Sequence, residues 1–235
     1  MTYIVTILIK SVVAIFMGII LGNGAVYFFN KMPGSWLCDY GEKPSEELLH
    51  PTCQRIKSTP WKMAFTIVFV TMGLFLFRED MRYGIAVMIA SWVLLEMSIA
   101  DIKYMIIPDQ MTVFLALISI GFIPFHYDWK ESLYGGLIGF GIMLFIAIIS
   151  KIMYKRDSIG GGDIKLFASL GLVTGSVGIL IIFVLTTLIS AGHFVWQLAT
   201  KRAKKNDLKP MVPYIAISSV IYMVFLWQLG QILYL

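Results

Sequence analysis

The sequence predicts an all-α fold, a polytopic membrane helix bundle of about eight transmembrane helices with the sixth short. Three observations predict it. The chain of 235 residues is 58% hydrophobic and 14% charged, with a mean hydropathy of +0.81. That is more apolar surface than the interior of a soluble domain of this length can take up. The apolar runs are long and unalternating, which argues against the short alternating segments of a β-barrel. The basic residues behind the net charge of +5 cluster in short loops, a topology signal rather than a nucleic-acid footprint.

Residues 4–29 form the first span. It exceeds the ~20 residues a bilayer core needs, so Lys10 can snorkel to an interface. No basic n-region precedes it, and it reads as a retained helix rather than a cleaved signal. Residues 30–61 are a polar insertion within a single membrane domain of residues 1–235. The insertion carries Pro33, Gly34, Asp39, Gly41, Pro44, Glu46, Glu47, Arg55, Lys57 and Pro60, and is too small for an independent core. Its Cys38 and Cys53, with His50 nearby, read as loop thiols, because paired-cysteine metal sites need four ligands.

The second span, residues 61–77, opens on an interfacial tryptophan, Trp61. A tight polar turn follows at 78–82. The third span, 83–100, ends at Asp101. Pro108 and Asp109 break the helix before a fourth span at 111–125. A short turn at 126–130 leads to the fifth span, 133–153, and then to a loop at 154–162 that is basic and then glycine-rich. Residues 164–199 are mostly apolar but interrupted near Gly171 and at Gly175-Ser176. A basic stretch at 201–209 precedes the last span, 211–233.

Charge decides the interrupted segment. Placing the insertion inside puts Lys31, Lys43, Arg55, Lys57, Lys62, Lys103, Lys151, Lys155, Arg156 and Lys165 on one face, with Arg78, Arg82 and Lys130, plus Lys10 near the N-terminus, on the other. The 201–209 stretch belongs with the first group, so an even number of crossings must separate it from Lys165. Residues 164–173 then run out as a short helix and 177–198 return, with both termini outside. Ten residues at 1.5 Å each reach only ~15 Å, so the short helix needs burial by neighbours and a cavity at its end.

This topology brings two carboxylates to the inner face. Asp163 lies in Ser158-Ile159-Gly160-Gly161-Gly162-Asp163-Ile164-Lys165-Leu166, where three glycines give a permissive backbone before a helix start. Asp101-Ile102-Lys103 echoes Asp163-Ile164-Lys165. A carboxylate near the bilayer is a functional-site hypothesis by default, and two close ones tend to share a proton. That state suits amide hydrolysis: one carboxylate activates water while its protonated partner bonds the scissile carbonyl. Asp163 at a helix start reads as the base and Asp101 at a helix end as the acid.

The neighbouring polar residues carry blander readings. Asp109 stands where a helix N-cap would. Lys103 and Lys165, two residues past each aspartate, face away from it on a helix and suit lipid headgroups, with substrate contact as the alternative. Glu96 is either a proton relay or a structural partner. His193 reads as a hydrogen-bonded packing residue.

At these residues the chain resembles the type IV prepilin peptidase family, the membrane aspartic peptidases with a Gly-x-Gly-Asp motif. Gly160-Gly161-Gly162-Asp163-Ile164-Lys165-Leu166 matches that motif, continued by Ala168, Leu170 and Gly171. Ile99-Ala100-Asp101, then Ile107-Pro108-Asp109 and Thr112, resemble its other signature. Lys209-Pro210-Met211-Val212-Pro213-Tyr214 is similar to its entry into the last span, and Gly22-Asn23, Tyr27 and Pro33 weakly resemble the end of its first. The resemblance implies catalysis by Asp101 and Asp163, with Gly160, Gly162, Lys103, Lys165, Pro108 and Asp109 supporting or binding substrate. It implies a type IV prepilin or pseudopilin substrate, cut at the cytoplasmic face of a bacterial-type plasma membrane, with no cofactor for the cleavage. S-adenosylmethionine enters only if the new N-terminus is also methylated, an activity left open. The four-cysteine metal loop of many members is reduced to Cys38 and Cys53, so no metal is expected.

Two other readings stay open at this point. One is an intramembrane protease of presenilin type, against which the Ile107-Pro108-Asp109 motif argues. The other is a proton-coupled transporter relaying through Asp101, Glu96 and Asp163.

Overall fold

The computed structural model describes residues 2–38, 44, 48, 54–154, 160–200 and 209–232. Asp39, Gly41, Lys43, Glu46, Glu47, His50 and Cys53 of the insertion lie outside the described residues, as do Lys155, Arg156, Ser158, Ile159 and 201–208. Among the described residues every regular element is helical. Five helices are long and apolar enough to cross a membrane. They are α1 (Thr2–Lys31), α2 (Ser58–Glu79), α3 (Met81–Tyr104), α5 (Trp129–Tyr154) and α6 (Gly161–Ala199). The shorter apolar helices are α4 (Asp109–Ile118) and α7 (Val212–Ile221); a π-helical turn, Tyr222–Leu226, joins α7 to α8 (Trp227–Ile232). The chain separates into two compact units, Met1–Glu96 and Met97–Leu235.

The first unit is built on an antiparallel pair, α1 and α2. Gly18 and Gly22, one turn apart on α1, let the backbones approach. A Cβ on Gly18 would stand 2.7 Å from Val70 Cα, and one on Gly22 would collide with the Thr66 backbone. The described part of the insertion is tied to the last turn of α1. Arg55 Nη1 donates to the carbonyls of Phe29 at 3.1 Å and Met32 at 2.6 Å, and its Nη2 to Leu48 at 3.3 Å. The Phe29 and Met32 carbonyls lie at the end of α1, where the last carbonyls of a helix have no intrahelical partner. The Asn30 side chain grips Ile56, accepting its N–H at 2.8 Å and donating to its carbonyl at 3.0 Å. Glu96 closes the unit fully buried, with neither carboxyl oxygen hydrogen-bonded among the described residues.

The second unit is organised around α6, which is not one rod. Gly175 sits at φ 74°, ψ −179°, a conformation essentially confined to glycine. The chain folds back there: the Phe167 and Phe183 rings are 6.2 Å apart, whereas a straight helix would separate those residues by ~24 Å. Residues 161–174 and 176–199 are therefore two antiparallel arms, with the break where Gly175-Ser176 interrupts the apolar run. The first arm measures ~21 Å at 1.5 Å per residue, a little longer than expected.

Carbonyls released at the break find side-chain partners. Ser132 Oγ donates to Leu172 O at 2.5 Å, and His126 Nε2 meets Val173 O at 3.1 Å. A carbonyl partner requires the proton on Nε2. Burial holds the His126 imidazole below its usual value, against the opposing effects of that bond and of Glu131. The first arm runs antiparallel to α5, where added Cβ atoms on Gly135 and Gly139 would meet the carbonyls of Gly171 and Phe167.

Three boundaries differ from the sequence reading. α3 continues past Asp101 to Tyr104. The segment expected as a span over 111–125 is α-helical only to Ile118 and then turns through two 3-10 segments, the second containing Pro124, where proline removes a backbone donor. The last span is interrupted by the π-helical turn.

Candidate active site

Asp101 lies in the last turn of α3, 7% exposed. The helix closes behind it with Met105 N–H bonded to Asp101 O at 2.9 Å. Met105 then adopts a left-handed φ of 56°, and Pro108, at φ −64° and ψ 124°, leads into α4. The Asp101 side chain is held from elsewhere. Its Oδ2 accepts the Val212 N–H at 2.8 Å, and the Met211 amide adds a second backbone contact. Val212 opens α7, with proline in its first turn, and the first amides of a helix have no internal partners. Asp101 thus caps α7 from a different helix.

Asp163 is the third residue of α6, and Gly160 is its N-cap at φ −70°, ψ 147°. The Asp163 N–H bonds to Gly160 O at 3.1 Å, and the Asp163 carboxylate accepts from the Gly160 amide in return. The carboxylate contact is the half of a capping box that an acid at the third helical position supplies; the other half is absent because glycine has no side chain. None of Gly160, Gly161 and Gly162 has a positive φ, which corrects the expectation that the triplet supplies backbone freedom. What matters at Gly162 is the missing side chain: a Cβ would stand 3.0 Å from Ile107 Cβ. The loop after Asp101 therefore packs directly on the turn before Asp163.

The two carboxyl groups stand within Coulombic range, the Asp101 charge acting on Asp163. The dipole argument for distinct roles loses its asymmetry. Asp101 ends α3, but its carboxylate also meets the N-terminus of α7, so both acids face helix N-termini.

Asp109 and Lys165 are brought together. Lys165 Nζ lies 2.8 and 2.7 Å from the two Asp109 carboxylate oxygens. Asp109 is thus not an N-cap: Pro108 holds that position, with no side-chain cap bond, and the carboxylate turns to Lys165. The headgroup reading of Lys165 gives way to this pairing. Ser169 Oγ donates to Thr112 O at 3.0 Å one turn further on, so α4 and the first arm of α6 run parallel from a common end. Pro108 is buried beneath them. Lys103 is exposed in the last turn of α3, where a positive charge suits the helix end.

His193 is a packing residue, as expected, with Nδ1 2.5 Å from Tyr214 Oη and Nε2 3.0 Å from Gln197 Nε2. Among the described residues no three His, Cys, Asp or Glu side chains gather into a group able to hold a metal ion. Sequence reasoning missed the Val212 amide and Ile107. The signal for the first was available in Pro210 and Pro213, since proline in a first turn marks a helix start with free amides. Ile107 stood in the Ile107-Pro108-Asp109 motif, but the sequence assigned it no contact.

Residues 88–195, which include all four polar side chains of this cluster, match the model of the Type IV leader peptidase family. The chain is 33% identical over 130 residues to a prepilin leader peptidase/N-methyltransferase of Bacillus subtilis, covering 54% of this chain and 50% of that protein. It is 30% identical over 149 residues to one of Xanthomonas campestris, covering 61% and 50%. A third, of Vibrio cholerae, is 23% identical over 180 residues, covering 74% and 70%. The chain spans about half the length of the first two relatives. No solved structure matches it.

Proposed function

From the match of residues 88–195 to the type IV leader peptidase family, we propose that the chain is an aspartic endopeptidase of the membrane. It cleaves the leader from type IV prepilins or pseudopilins at the cytoplasmic face. The observation that carries this reading is the packing of the loop after Asp101 on the turn before Asp163, Ile107 against Gly162, which brings the ends of α3 and α6 that bear the two acids side by side. The orientation is our reading of the basic residues of the sequence, whose excess in the loops assigned to one face supports an inward placement of the two aspartates.

The reaction needs one proton between two acids. The ionised carboxylate takes a proton from a water molecule as its oxygen attacks the scissile carbonyl carbon. The protonated partner gives its proton to the carbonyl oxygen, and a tetrahedral diol forms. On collapse, the carboxyl that gained the water proton passes it to the leaving amine, the diol returns a proton to the other, and the C–N bond breaks. Val212 N–H on Asp101 and Gly160 N–H on Asp163 hold the two groups in place without titrating themselves. S-adenosylmethionine is required only if this chain also performs the methyl transfer named in its relatives. No methyl-transfer step follows from the residues around the two aspartates.

The test is incubation of the purified protein in detergent or vesicles with a peptide carrying a prepilin leader and the start of its hydrophobic helix. Cleavage at a single bond between the two supports the reading. Proton-coupled uptake into vesicles without clipping would replace it with a transporter.

A further inference from the structure

We propose that Asp109 and Lys165 form an electrostatic latch that fixes the spacing of Asp101 and Asp163. The proposal rests on the peptidase reading for its kinetic consequence, but not for its geometry. Four observations carry it. Lys165 lies two residues beyond Asp163 on the first turn and a half of α6, and its Nζ meets both oxygens of Asp109 at 2.8 and 2.7 Å. Asp109 opens α4 and is joined to Asp101 through the turn at Met105 and the Ile106–Pro108 segment. Ile107 of that segment packs against Gly162, immediately before Asp163. The Ser169–Thr112 bond ties the same two helices one turn further along. Asp101, Asp109, Lys165 and Asp163 therefore form a closed ring, in which the ion pair is the one link between side chains that are mostly solvent-exposed.

Exposure gives the latch its character. The two side chains are 56% and 58% exposed, and such a pair contributes little to global stability. Its effect is local: it holds the N-terminal ends of two parallel helices together. Opening it lets the 105–108 turn lift from Gly162 and widens the gap between the acids. Catalysis by two carboxylates around one water depends on their spacing, and misplacement of about 1 Å costs up to about a hundredfold in rate. Asp109 and Lys165 are positioning residues in this scheme, since neither has to touch substrate.

The experiment has two readouts. In a background with Cys38→Ser and Cys53→Ser, Ile107→Cys and Gly162→Cys are introduced, and the rate of disulfide formation reports the contact between turn and helix start. Adding Asp109→Asn or Lys165→Met slows cross-linking several-fold, and the exchanged pair Asp109→Lys with Lys165→Asp brings it back toward the starting rate. Identical cross-linking in all these proteins overturns the latch. In the protein without the added cysteines, Asp109→Asn and Lys165→Met each lower kcat on the leader peptide roughly ten- to a hundredfold. KM and the thermal midpoint barely move, and Lys165→Arg retains most of the rate. A rise in KM with kcat preserved overturns the positioning role in favour of direct substrate contact. If the unaltered protein cleaves no leader peptide, the peptidase reading fails while cross-linking still decides the latch.

Discussion

The Val212 amide donates to Asp101 Oδ2 at 2.8 Å across 111 positions of sequence. One of the two acids is thereby seated by the start of the last apolar helix, whose proline-flanked first turn leaves its amides free. Removing that N–H with Val212→Pro leaves Asp101 short of a charge-assisted bond worth about 1.5–3 kcal/mol. The rate of leader-peptide cleavage is expected to fall by about ten- to a hundredfold. Val212→Ile keeps the amide and keeps the rate. Equal rates in both variants would show that the bond has no part in placing Asp101.

Gly162 and Ile107 make a second test of the same junction. A Cβ at Gly162 meets Ile107 Cβ at 3.0 Å, so Gly162→Ala pushes the 105–108 turn away from Asp163. Cleavage drops, and Ile107→Ala in the same chain restores much of it by clearing the space. Failure of the second substitution to rescue the first would place the defect of Gly162→Ala elsewhere.

Gly175 is the residue on which the reversal of α6 depends. Its φ of 74° with ψ −179° is closed to residues with a Cβ at a cost of about 1–3 kcal/mol. Gly175→Ala is expected to lower the thermal midpoint in detergent. Ser132→Ala strands the Leu172 carbonyl and lowers it further, by roughly 1 kcal/mol of stability. An unchanged midpoint in Gly175→Ala would mean that the chain reverses without the left-handed residue.

Arg55 ties the described part of the insertion to the end of α1. It serves three carbonyls, those of Phe29, Met32 and Leu48, and Arg55→Ala leaves them to water. Limited proteolysis between residues 33 and 57 is expected to speed up markedly while the membrane helices stay intact. Cleavage at the original rate would show that the Asn30–Ile56 bonds alone hold the segment.

The sequence carried the helical class and the interruption at Gly175-Ser176, and it singled out Asp101 and Asp163, because each has a local signature. Apolar runs fix the helices, a Gly-Ser pair in a long apolar run marks a break, and a carboxylate at a span end stands out against its composition. The role of Asp109 was misread because a residue after proline and before a helix has the pattern of an N-cap. Only the fold supplies Lys165 as the better partner. The glycine triplet was misread for a related reason. A glycine needed for a close approach and one needed for a positive φ look the same in sequence, and among the described residues only Gly175 is of the second kind. The split between acid and base fell away because the helix that meets Asp101 begins 111 residues later, beyond the reach of a local dipole argument.

The most direct measurement is the pH dependence of leader-peptide cleavage by the unaltered protein, Asp101→Asn and Asp163→Asn, with folding checked by the thermal midpoint. A pair that shares one proton gives a bell-shaped profile, since cleavage fails when both acids are protonated and again when both are ionised. Each single substitution abolishes cleavage at every pH while the midpoint holds. Equal, partial activity in both variants would contradict the shared-proton pair on which this account depends.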